Sequence, residues 1–90
     1  MQNPDAERRR ATRLPASGWV AISYSDPTAV TVQAELIEAS ATGFRIAHES
    51  KDLVAGLEVE MKRDQTVRKA RIVWTHLLEG RRVSGCVLLS

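Results

Sequence analysis

Apolar and polar residues alternate with a period of two along most of this chain, which is the pattern of strands with one face buried. In residues 19–24, Val20, Ile22 and Tyr24 share a face. In 30–37, Val30, Val32, Ala34 and Leu36 face one way and Thr31, Gln33 and Glu35 the other. Phe44 and Ile46 alternate with Arg45 and Ala47 in 44–48, and Leu57, Val59 and Met61 with Glu58, Glu60 and Lys62 in 57–62. Segment 66–75 sets Ala70, Ile72 and Trp74 opposite Lys69, Arg71 and Val73, and segment 82–89 carries Val83, Val87 and Leu89 on one face. Turn residues fall between them at Ser25-Asp26-Pro27, Arg63-Asp64-Gln65 and Glu79-Gly80-Arg81. Residues 49–56 have the makings of one helical turn, with Ser50 as cap and Gly56 as stop. No segment supports a long amphipathic helix, so the crossovers that a parallel α/β sheet needs are missing. The expected fold is all-β. Six short strands are predicted to close into a small antiparallel barrel, because closure buries one face and removes the exposed edges.

The length of 90 residues allows one domain with a modest core and little room for a deep cleft. With 43% apolar and 27% charged residues, the composition is that of a folded protein and not of a disordered chain. Apolar runs such as Ile72-Val73-Trp74 are far short of the roughly 20 residues that span a membrane. No signal-peptide apolar stretch is visible. The single Cys86 allows no intrachain disulfide and reads as a buried thiol, which suits a reducing cytoplasm.

Charge is unevenly placed. Arg8, Arg9, Arg10 and Arg13 stand against Asp5 and Glu7, so residues 1–13 carry the whole net charge of +2. Residues 14–90 hold nine basic and nine acidic groups and sum to zero. The expected organisation is therefore a flexible Arg-rich segment, 1–13, followed by a single barrel domain, 14–90. The excess charge implies a local anion site, not a basic face spread over the fold.

Two constellations can carry chemistry. In the first, Arg9 and Arg13 form an R-x-x-x-R pair. The planar guanidinium fork matches phosphate oxygens and the O6/N7 edge of guanine. Its plainer reading is a solvated basic tail. The second is Glu38-Ala39-Ser40-Ala41-Thr42-Gly43, between two strands. It reads either as a turn, with Ser40 bonding local backbone and Gly43 at positive φ, or as a carboxylate and hydroxyl that accept from guanine N1–H and N2.

The order and spacing of these motifs resemble the PilZ domain, a family of bacterial receptors for cyclic di-GMP. That family pairs an N-terminal R-x-x-x-R with [D/N]-x-S-x-x-G at a strand–strand turn. Leu53, Gly56-Leu57-Glu58-Val59, Arg71-Ile72-Val73-Trp74 and Gly80-Arg81-Arg82-Val83-Ser84-Gly85-Cys86-Val87 are similar to its later strands. The resemblance covers about Glu7 to Leu89. It implies a six-stranded barrel and a binding role without catalysis, with ordering of the N-terminal segment as the switch. It also implies a downstream protein partner. Arg9 and Arg13 would hold phosphate and the guanine acceptor edge, with Arg8 and Arg10 assisting. Ser40 would bond the ligand, Gly43 would shape the turn, and Trp74 would either pack in the core or contact a base.

Two features depart from the family pattern. Glu38 stands where Asp or Asn is usual, and no long C-terminal helix follows the last strand. Glu38 favours an alternative, a degenerate interaction module that binds no nucleotide. Nucleic-acid binding through the arginines is disfavoured by the neutral remainder and the scarcity of stacking aromatics. No enzyme motif, cofactor fingerprint or metal-ligand spacing appears, and His48 and His76 lie on separate segments.

Overall fold

The structure is a computed structural model that describes residues 14–15, 17–25 and 28–89. Arg8, Arg9, Arg10 and Arg13, and the expectation of a flexible segment 1–13, lie outside the described residues. Among the described residues seven strands form: β1 Leu14–Pro15, β2 Trp19–Ser25, β3 Ala29–Ala39, β4 Gly43–His48, β5 Glu58–Arg63, β6 Thr66–Leu78 and β7 Arg81–Leu88. Among the described residues there is no helix, and none is long and apolar enough to cross a membrane.

Strands β2 to β7 close on themselves. Every pairing is antiparallel, running β3-β2-β5-β6-β7-β4, and β4 pairs back onto β3. The result is the closed six-stranded antiparallel barrel that the alternation predicts. The inward residues are the expected ones: Val20, Ile22 and Tyr24 from β2, Ala34 and Leu36 from β3, Phe44 and Ile46 from β4. Val59, Ala70, Ile72 and Cys86 complete the ring, and Cys86 is the buried thiol its neighbours suggest. Outward Glu58 meets Arg71 across the β5–β6 ladder at 2.8 Å.

Four local expectations are corrected. Residues 49–56 form no helical turn. Leu53 is drawn completely into the core, and the loop spends its backbone groups on β6, with the Gly56 N–H donating to the Ile72 carbonyl at 2.7 Å. Ser50 Oγ does accept from the Asp52 N–H, but no helix follows. In β7 Val87, expected on the apolar face, is exposed on the outer side, while Ser84 and Cys86 point inward and are buried; Val83 is buried as well. Strand β1, unmarked by any alternation, pairs Leu14 with Ala39 and Pro15 with Glu38 at the edge of β3.

The fourth correction concerns Trp74. Strict alternation would turn it inward beside Ile72. Instead the β6–β7 ladder shifts register between Ile72 and Trp74, so Val73 is an extra residue. A bulge of this kind sets two residues opposite one and reverses the faces beyond it. Trp74 therefore stands opposite Gly85 on the outer face.

Candidate functional site

A second bulge occupies the matching place on β3. Its register shifts between Leu36 and Glu38, making Ile37 the extra residue. Leu36 stays inward, and Glu38 turns outward opposite Arg45. Arg45 in turn lies opposite Gly85 on β7, and Gly85 opposite Trp74 on β6. Glu38, Arg45, Gly85 and Trp74 thus form one row across four neighbouring strands, spanning roughly 14 Å at the usual strand spacing.

The side chains along this row touch. Arg45 Nε is 3.4 Å from Glu38 Oε1, an ion-pair distance without hydrogen-bond alignment. The Arg45 guanidinium carbon lies 5.5 Å from the centre of the Trp74 ring, within cation–π range. Trp74 also packs against His76, with ring centroids 4.9 Å apart and planes 30° from parallel. Gly85 makes this arrangement possible. A Cβ there would lie 2.3 Å from Trp74 Cε2, so the indole occupies the space a side chain would fill. Chemically the row offers a carboxylate, a guanidinium and a half-buried aromatic surface, side by side and facing outward.

The turn at one end of the row is held by its own bonds. The Ser40 N–H donates to the Gly43 carbonyl at 2.8 Å, and Ser40 Oγ accepts from the Thr42 N–H at 3.2 Å. Ser40 Oγ also donates to the Gly43 carbonyl over a long 3.4 Å. A further contact with Thr42 Oγ1 at 3.3 Å completes the local reading of Ser40. Gly43 is required for a different reason from the expected one. Its φ is not positive; a Cβ there would sit 2.2 Å from the Cys86 carbonyl oxygen. Close approach of β4 to β7, not turn conformation, demands glycine.

Of the residues singled out from the sequence, Glu38, Ser40, Gly43 and Trp74 fall on this side of the barrel. Glu38 and Trp74 are joined through Arg45 and Gly85, which the sequence reading had not selected as site residues. Gly85 was detectable, since an isolated glycine inside a strand pattern marks a bulge or a close approach. Arg45 carried no comparable signal beyond lying on the polar side of its strand. No protein-family model matches the chain, and no curated protein matches it.

Proposed function

We propose that this chain is a receptor for cyclic di-GMP, in which the outer row on β3, β4, β7 and β6 receives a guanine. The observation that carries the reading is the grouping of Glu38, Arg45 and Trp74 on one outward row, achieved by two bulges. Guanine presents donors at N1 and N2, acceptors at O6 and N7, and a flat π-face. A carboxylate, a guanidinium and an indole are complementary to those three features in turn. The R-x-x-x-R segment supports the reading from the sequence side. Leu14, which follows Arg13 in the chain, pairs with Ala39 next to Ser40. The reading thus rests on the resemblance to PilZ domains together with this row.

Calorimetric titration of the full chain with cyclic di-GMP tests it, with GTP as the control ligand. Micromolar or tighter binding is expected, because ordering a charged segment costs about 2–5 kcal/mol of the gross interaction. Arg13→Ala should abolish binding while the barrel stays folded. Trp74→Ala should weaken it by about tenfold or more, since a stacked base contributes roughly 1–3 kcal/mol.

A second reading, an interaction module that binds no nucleotide, is favoured by two observations. Ser40 is engaged within its own turn, and Glu38 is engaged with Arg45. Absence of binding at about 100 μM ligand, weaker than roughly −5.5 kcal/mol, would select it. Glu38→Asp then discriminates further, because a large gain in affinity would identify the longer side chain as the impairment.

A further inference from the structure

Inside the barrel, next to the Trp74–Gly85 pair, runs a buried hydrogen-bond chain that the proposed ligand site does not use. It links His48 Nε2 to Ser84 Oγ at 2.7 Å, Ser84 Oγ to Thr75 Oγ1 at 2.6 Å, and Thr75 Oγ1 to the Leu53 carbonyl at 2.6 Å. On the far side of the imidazole, the Ser50 N–H donates to His48 Nδ1 at 3.1 Å. The two ends fix the direction of every bond. A backbone N–H can only donate, so Nδ1 is the bare nitrogen and Nε2 carries the proton. A backbone carbonyl can only accept, so Thr75 donates to Leu53, Ser84 donates to Thr75, and His48 donates to Ser84. The neutral Nε2–H tautomer satisfies every member.

Although a serine beside an imidazole is the geometry of an activated nucleophile, Ser84 is completely buried. The position that a carboxylate would need at Nδ1 is taken by the Ser50 amide. The arrangement fits a clamp better. Two of its contacts, Ser50 to His48 and Thr75 to Leu53, tie the first half of the loop between β4 and β5 to the barrel. A charged imidazole would carry an N–H on both nitrogens and oppose the Ser50 N–H donor to donor.

Charged and polar groups face His48 from several elements. From β7 comes Arg82, its register partner. Arg81 of β7 and Glu49 of the loop share a small cavity with it, along with the uncharged Trp19 and Gln33. Glu35 of β3 is paired to Arg81, and β6 contributes the uncharged Thr75. Burial first, and Arg82 second, hold the imidazole pKa below its usual 6.5.

We propose that His48 is a proton-operated latch: neutral, it holds the start of the β4–β5 loop through the Ser50 amide, and on protonation it releases that end while the Thr75 hydroxyl keeps Leu53 docked on β6. Residue-resolved amide exchange on the full chain from pH 7.5 to 4.5, with nitrogen shifts of the imidazole, tests this. At pH 7.5 Nε2 should report as protonated and Nδ1 as bare. Below the His48 pKa, the protection factor at the Ser50 amide should fall about tenfold per pH unit, as expected for release linked to one proton. That of Ile46, in the β4 ladder, should stay level. His48→Gln keeps a donor and an acceptor but cannot titrate, and should flatten the response. His76→Gln should leave it intact, and this variant with the wild-type imidazole shifts decides the matter if His48→Gln fails to fold. A pH-independent protection factor at Ser50, an Nδ1–H tautomer at pH 7.5, or a response that disappears in His76→Gln would each overturn the latch.

Discussion

A methyl group at position 85 would collide with the Trp74 indole, and the collision is with a rigid ring and not a flexible tip. Gly85→Ala should therefore push the indole off β7 and away from Arg45. Fluorescence in a Trp19→Phe background, which leaves Trp74 as the one tryptophan, reads this directly. Emission should shift to the red and quenching by acrylamide should rise. An unchanged spectrum would mean that Trp74 does not rest on Gly85. At position 43 the obstacle is backbone. Because the Cys86 carbonyl cannot move without opening the β4–β7 ladder, Gly43→Ala should cost about 1–3 kcal/mol in denaturant unfolding, the usual range for overpacking.

At the scale of the strand, the bulges decide which side chains belong to the core. Ile72 and Trp74 are two apart in the same strand, yet only Ile72 is fully buried. Ile72→Ala should cost about 2–5 kcal/mol, the range for emptying a core position. Trp74→Ala should cost clearly less, whereas unbroken alternation would make it the costlier change. The β6–β7 hairpin turns through Glu79 and Gly80, with φ of 52° and 80°. That pair of positive values is what a two-residue hairpin turn requires, and Asn-Gly meets it best. Replacing Glu79 by Asn should raise stability by a few tenths of a kcal/mol, while Gly80→Ala should lower it by about 1 kcal/mol. Equilibrium unfolding in urea ranks both.

For the molecule as a whole, His48 links folding to pH. Its folded-state pKa lies below the ordinary value, so between the two values the unfolded chain binds more protons than the folded one. Stability should be full above about pH 6.5 and should decline as pH falls toward the lowered folded-state value. Thermal unfolding at pH 7.5 and 5.5 tests the sign, and His48→Gln should remove that part of the slope. Closure of the barrel also explains why chemistry gathers on one side. Residues 38, 45, 74 and 85 become neighbours only when β4 bridges β3 and β7.

The sequence by itself determined the six barrel strands and the inward faces of β2 to β5, because period-two alternation is a local property and burial of one face is the strongest term acting on it. It also marked the Glu38–Gly43 turn and the glycine of the last hairpin. Only the tertiary structure decided where alternation breaks. An extra residue in a ladder is defined by the register of the partner strand, β4 for β3 and β7 for β6, and the alternation within one strand carries no record of that register. The same holds for the loop at 49–57. Its helical signals are local, but the pull of Leu53 into the core and the bonds of Gly56 and Leu57 to Ile72 are not. Those long-range contacts satisfy the loop's backbone better than a single helical turn, which would nucleate poorly on its own.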